Sequence, residues 1–311
     1  MLGRSSPSSA PGLEAMPYSV WKRLHKLFPD ILPDLTNPLV QRGYHPVSLK
    51  KAEGMVLDKP GKPSYDAPAT YRVIVLLDTP LKIVERLIAN RLSAQTRELG
   101  PIHRNQCSSL LSVSSFHAAV SLTHEVAIAQ KLKLKAFSLF LDIKSYFDNI
   151  RPTQLRLTGP LRERGVSPYI ASWIKSFLSR RTCRLKFEGS RGDFKRVAVG
   201  TPQGSPISPL LFVLYVASFH RGLNRQNTFS FINDFVLTSM SLSHRRNIQI
   251  LQTRFRALSC RAKRLRLSFS ILKTELIDSG TRKDRSPQGL TPVHLDSEVF
   301  YPKEEVRWLG Y

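Results

Sequence analysis

The chain has 311 residues with 41% hydrophobic content, enough for one large or two smaller packed domains and too apolar for a disordered chain. Lys and Arg number 47 against 23 Asp and Glu, a net charge of +24 with pI near 10.4. That imbalance points to a polyanion partner, nucleic acid foremost, bound in a salt-sensitive and largely sequence-independent way. Cys107, Cys183 and Cys260 are isolated, which argues against a zinc or disulfide framework and fits a reducing intracellular compartment, nucleus or cytoplasm. The start has no apolar signal-peptide core, and the longest apolar run, Leu210 to Ala217, is too short to span a bilayer, so no membrane association is expected.

Residues 1–17 are rich in Ser, Pro and Gly and are predicted to be disordered. Trp21 to Leu27 suits a short helix. Lys51 to Leu57 and Arg72 to Leu77 read as strands around the loop Asp58-Lys59-Pro60-Gly61-Lys62-Pro63. Leu81, Val84, Ile88 and Leu92 share one face of a helix that Gly100-Pro101 should end. Phe116, Ala119, Thr123, Val126 and Gln130 mark a second, more mixed helix.

Ala136 to Leu141 is almost continuously apolar, as in a strand buried on both faces, and it ends at Asp142. Ile170, Trp173, Ile174 and Phe177 form another helical stripe. Cys183 to Glu188 and Phe194 to Val199 flank Gly189-Ser-Arg-Gly-Asp193 as a hairpin. A helix should start at Pro206 or Ser208 and reach about His220. Phe229 to Leu237 reads as two short strands around Asn233-Asp234. Ile248, Leu251, Phe255, Leu258, Ala262 and Leu265 give a long helical stripe whose opposite face carries Arg254, Arg256, Arg261, Lys263 and Arg264.

Asp142 at a strand end and Asp234 in a hairpin are far apart in sequence, but neighbouring strands could bring them together. Two carboxylates on hard divalent cations are what nucleotidyl transfer needs. Each also has an ordinary reading, as a residue following a strand or as half of an Asn-Asp turn. The Gln203 loop, Gly200-Thr-Pro-Gln-Gly-Ser-Pro-Ile-Ser-Pro209, is rigid and polar and precedes the apolar Leu210-Leu-Phe-Val-Leu-Tyr-Val.

Four segments in fixed order carry a resemblance: Phe140-Leu-Asp142-Ile-Lys-Ser-Tyr-Phe147-Asp148, the Gln203 loop, Phe231-Ile-Asn233-Asp234-Phe, and Leu272-Lys273-Thr-Glu275. Together they resemble the palm of a reverse transcriptase of the non-LTR (LINE-type) retrotransposon group. Asp58-Lys-Pro-Gly-Lys-Pro and Lys82-Ile-Val-Glu85-Arg-Leu-Ile-Ala-Asn-Arg91-Leu look like fungal-type members. The resemblance implies an α+β right-hand fold with a small antiparallel palm sheet backed by helices. It implies an N-terminal extension at 1–44, fingers at 45–135, and a palm at 136–311 with a fingers-like insertion at about 151–200. Trp308-Leu-Gly310 resembles the start of the primer grip, so neither a thumb nor a preceding endonuclease is expected in this stretch.

It also implies roles. Asp142 and Asp234 would hold Mg²⁺, with Lys273 near the pyrophosphate leaving group. Lys59 and Arg72 would contact the triphosphate of a dNTP, Gln203 would pack on the nucleotide and template pairing, and Phe147 would exclude a ribose 2′-OH. The partners would be an RNA template and a DNA primer. Asn233 departs from the family, which has aspartate there. A neutral amide is a poor substitute beside two dications, so the copy is expected to be degenerate, with little activity. Val73 in place of a proline, Gln106-Cys107-Ser108, and Ser145-Tyr146 in place of Gly-Ala are further departures. The rival expectations are an inactive nucleic-acid-binding remnant and an intron-maturase-like RNA-binding protein.

Overall fold

The computed structural model describes residues 9–99, 103, 105–107, 114–151, 165–220, 228–280 and 292–311. The expected helix stop at Gly100-Pro101 and residues 152–164 of the insertion lie outside them. The chain divides into two compact units, one from Met1–Gly100 with Phe147–Phe212 and one from Pro101–Tyr146 with Val213–Tyr311. Among the described residues no helix is long and apolar enough to cross a membrane.

The first unit begins with helices α1 (Tyr18–Leu27) and α2 (Ile31–Gln41). Disorder was expected over residues 1–17, but residues 9–17 lie along the start of helix α3 (Thr79–Leu99). Glu14 N donates to Asp78 Oδ1 at 3.1 Å, and Thr79 Oγ1 donates to Met16 O at 2.6 Å. Composition gave no sign of these bonds because their acceptors and donors lie more than sixty residues away.

Strand β1 (Lys51–Asp58) pairs antiparallel with β2 (Tyr71–Leu76) and parallel with β4 (Arg181–Phe187). Further along, β4 pairs with β5 (Ser190–Arg191) and β6 (Lys195–Val197). The expected hairpin turn at Gly189–Asp193 is instead the two residues Glu188 and Gly189, both at positive φ as a tight type I′ turn needs. Helix α5 (Pro168–Leu178) carries the predicted stripe, with Ile170, Trp173, Ile174 and Phe177 all buried.

The second unit holds a five-stranded sheet in the order β12-β9-β3-β8-β7, where β3 is Lys135–Asp142, β7 Thr228–Phe231, β8 Asp234–Ser241, β9 Glu275–Asp278 and β12 Pro302–Lys303. A separate hairpin joins β10 (Val293–Leu295) to β11 (Glu298–Phe300). As expected, β3 is buried from Ala136 to Leu141. Helix α7 (His244–Arg264) packs on β3 and β8 through Ile248, Leu251, Phe255, Leu258 and Ala262. Phe140, Val236 and Phe229 instead join Ala118 and Leu122 of helix α4 (Ser115–Lys131) and Trp308 in one cluster.

Two sequence expectations change here. Helix α4 exists, but it buries Ala118, Leu122 and Ala129 and leaves Phe116 56% exposed. Small alanines, not the larger side chains, let it lie close to the sheet. The basic face of α7 is also not uniformly solvated. Arg254 donates to Thr238 O, and Arg261 donates to Phe219 O at 2.6 Å, so both capture backbone carbonyls. Helix α6 (Ser208–Tyr215) starts where expected but gives way to a 3-10 turn at Ala217–His220.

Candidate functional site

Asp142 ends β3 and Asp234 begins β8, and the antiparallel register pairs them directly. The reason is the β7–β8 turn. Sequence placed Asn233-Asp234 at its centre, but the two turn residues are Ile232 and Asn233, since Phe231 pairs with Asp234. Ile232 has φ +54, a region that β-branched residues rarely occupy. Moving the turn one residue back places Asp234 in the strand.

The end of β3 is held from two sides. Ile143 N donates to Asn233 O at 3.0 Å, and Ser270 N donates to Asp142 O at 2.7 Å. The 3-10 turn Ile271–Lys273 then delivers Lys273, whose Nζ lies 3.2 Å from Asp142 Oδ2. Asn233 Nδ2 donates to the other oxygen, Asp142 Oδ1, at 2.9 Å. Both carboxylate oxygens of Asp142 therefore already accept from the protein. Burial first, then the nearby Asp142 charge, pushes the Asp234 carboxyl up to about 6, against a lowering by Lys273.

Asp142, Asn233, Asp234 and Lys273 thus form one cluster in the second unit. Tyr146 belongs with them although sequence flagged it only as a departure. Burial and then Asp234 and Asp142 push its hydroxyl up to about 12. Among the described residues no group of three or more His, Cys, Asp or Glu could hold a metal. Two carboxylates are available, and the third position is an amide.

Lys59, Arg72, Phe147 and Gln203 belong to the first unit. Lys59 and Arg72 sit near the tip of the β1–β2 hairpin, where Leu57 pairs with Arg72 and Lys59 N donates to Thr70 O at 2.9 Å. The Lys59 ammonium is exposed and donates to Ala69 O at 2.7 Å. The Gln203 loop is tied to β2 because Val75 N donates to Gln203 O at 2.7 Å. Thr201 N donates to Phe147 O at 2.7 Å, and Phe147 is half-buried rather than a core aromatic.

The same loop has a buried anchor that sequence missed. Ser205 Oγ donates to Glu85 Oε2 of α3, and Glu85 is fully buried. Burial raises the Glu85 carboxyl to about 8, outweighing Ser205 and Lys82, which lower it. A carboxyl with a raised folded pKa favours folding most below its unfolded value near 4.5, and that contribution fades as pH climbs to about 8. Glu85→Gln, a neutral isostere, should therefore match the parent below about pH 4.5 and exceed it by several kcal/mol at pH 9, since each pH unit between the two pKa values is worth about 1.4 kcal/mol. Urea melts at both pH values check this; equal stability at pH 9 would show that burial does not raise the Glu85 carboxyl.

The sequence profile of the family described as Reverse transcriptase (RNA-dependent DNA polymerase) matches residues 57–311. The chain belongs to the reverse transcriptase family. It is 32% identical over 216 residues to a probable RNA-directed DNA polymerase from transposon X-element of Drosophila melanogaster, covering 68% of this chain and 23% of that protein. It is 30% identical over 225 residues to the RNA-directed DNA polymerase from mobile element jockey of Drosophila funebris, covering 70% and 23%. The chain thus spans about a quarter of the length of these non-LTR retrotransposon relatives.

Among solved structures, truncated apo telomerase of Candida tropicalis superposes with TM-score 0.52 at 14% identity, covering 88% of this chain and 58% of that one. Telomerase of Candida albicans, in complex with a telomeric RNA fragment, gives 0.53 at 13%, covering 88% and 47%. At such identity the likeness concerns the fold alone: this chain shares their α+β architecture.

Proposed function

We propose that this stretch is the fingers and palm of an RNA-directed DNA polymerase that extends a DNA primer on an RNA template. The observation that carries this reading is the direct pairing of Asp142 with Asp234 across β3 and β8. The fingers would be residues 45–135 and the palm 136–311 with the insertion near 151–200, so the first unit would join the insertion and the Gln203 loop to most of the fingers, and the second would join α4 to the rest of the palm. The reaction would take place in the nucleus or cytoplasm.

The donors suit one Mg²⁺-like cation held by Asp142 and Asp234, its other positions left to water and substrate oxygens. They fit a two-cation arrangement poorly, because Asn233 presents an amide where a third carboxylate would stand. When bound, the cation would neutralise charge on the transferring phosphoryl group. The protein supplies the rest. Lys273 places an ammonium beside Asp142, suited to a departing pyrophosphate. Lys59 and Arg72 offer cations to the triphosphate, Arg72 with a bidentate fork. Gln203, fixed through its carbonyl to β2, would pack on the nucleotide, and Phe147 would bar a ribose 2′-OH.

The second reading, a nucleic-acid-binding remnant without turnover, is favoured by the Asn233–Asp142 hydrogen bond. Primer extension on a synthetic RNA template separates the two. The chain as written should extend poorly, Asn233→Asp should extend at least tenfold faster, and Asp234→Ala should not extend. Equal extension by all three would place the chemistry elsewhere.

A further inference from the structure

The first unit contains a cavity of about 640 Å³ whose lining includes Gln203 but whose buried cations no role above uses. All of its lining belongs to that unit. One wall is the face of the sheet carrying Val73 and Val75 of β2, Cys183 and Leu185 of β4, and Val197 of β6. Gly54 of β1 keeps this face open. A Cβ there would stand 2.8 Å from Val73 Cγ1, 3.0 Å from Leu185 Cδ2 and 3.2 Å from Cys183 Sγ. Phe177 and residues Gly200 to Gln203 also line the cavity.

Against this apolar lining stand two buried cations. Lys50 is 4% exposed and Arg181 7%. Lys50 Nζ donates to Ser176 O at 2.5 Å and reaches the hydroxyls of Ser176 and Ser179 at 3.4 Å. The Arg181 guanidinium donates to the carbonyls of Leu178 at 3.3 Å, Val199 at 3.3 Å and Gly200 at 2.5 Å. Among the described residues neither cation pairs with a carboxylate. Buried charges are ordinarily paired, because leaving water costs more than carbonyls return. The two carboxylates of the lining, Asp148 and Asp193, are both exposed. Two further buried polar atoms of the lining residues, His45 Nδ1 and Thr201 Oγ1, have no hydrogen-bond partner.

We propose that this cavity binds a small apolar carboxylic acid, its chain against the valine face and its carboxylate towards Lys50 and Arg181, with Thr201 Oγ1 as a further donor. An apolar pocket of a few hundred Å³ with a few convergent polar groups is the usual form of a small-molecule site. The site lies wholly within the first unit and does not require the Asp142 and Asp234 carboxylates.

The test is calorimetric titration of the full chain with laurate, dodecanol and inorganic phosphate, with melting followed in parallel. Laurate should bind one equivalent and raise the melting temperature, while dodecanol and phosphate should bind at least tenfold more weakly. Arg181→Met should weaken laurate tenfold or more. Because that change also frees three carbonyls, Val197→Phe, which fills the cavity from half-buried Val197 of β6, provides a second reading and should weaken laurate equally. Laurate and dodecanol binding alike would overturn the anion site. Undiminished laurate binding by a folded Val197→Phe chain, or none by the cooperatively melting parent, would overturn the cavity site.

Discussion

Asn233→Asp is expected to make the β7–β8 hairpin less stable without metal and more responsive to it. In the parent, Asn233 Nδ2 donates to Asp142 Oδ1 at 2.9 Å while Lys273 holds Oδ2. Aspartate cannot donate there, so one charge-assisted bond is lost and two carboxylates face each other, with Asp234 opposite. A hydrogen bond to a charged group is worth about 1.5–3 kcal/mol, so metal-free stability should fall by roughly 2 kcal/mol. Divalent cations should reverse the loss, because three carboxylates, at the end of β3, in the β7–β8 turn and at the start of β8, make a harder, more negative site. Mn²⁺ or Mg²⁺ affinity should rise at least tenfold, which is about 1.4 kcal/mol. Chemical melts with and without Mg²⁺, together with calorimetric titration, check both halves. An Asn233→Asp chain that is neither destabilised without metal nor tighter for it would mean that the amide is not the lesion proposed.

Gly204→Ala should be strongly destabilising for the first unit. Gly204 has φ +123, outside the regions open to L-residues, and a Cβ there would lie 2.7 Å from Val75 O. That obstacle is backbone, and it belongs to the residue whose N–H donates to Gln203 O. Neither side can yield without breaking the tie that fixes the Gln203 loop. Backbone strain and overpacking each cost about 1–3 kcal/mol, so a loss of about 3 kcal/mol or more is expected. Ser205→Ala, which removes only the hydroxyl bonded to Glu85, should cost about 1 kcal/mol by comparison. Denaturant melts of the two variants decide it. A Gly204→Ala loss no larger than that of Ser205→Ala would mean the loop can leave β2 freely.

What the sequence made legible was what local pattern encodes. The continuous apolar run before Asp142 named β3, and the spacing of Ile170, Trp173, Ile174 and Phe177 named α5 and its buried face. The pairing of Asp142 with Asp234 was accessible because each stood at the end of a strand-like run. Helix α4 was recognised but its face was misplaced, since alanines at Ala118 and Ala129 carry little signal against Phe116 and Val126. The turn at Ile232–Asn233 was displaced by one residue because Asn-Asp is the better turn pair on local chemistry, and sheet register overruled it. Nothing local could reveal bonds made across the chain: Glu85 with Ser205, Arg254 and Arg261 with distant carbonyls, or the parallel seam between β1 and β4.

That seam bears on how the chain comes off the ribosome. Strand β1 waits from Lys51 until Thr182 to Lys186 emerge before its second edge is covered. Meanwhile residues of the other unit, Pro101–Tyr146, are already synthesised, and their own sheet cannot close until β8 and β9 arrive. Two half-built sheets therefore coexist, each with open edges that can pair with the wrong strand. Fragments ending between Tyr146 and Arg181 would leave both units unfinished, so a cut in that interval should yield aggregates rather than an isolated folded half.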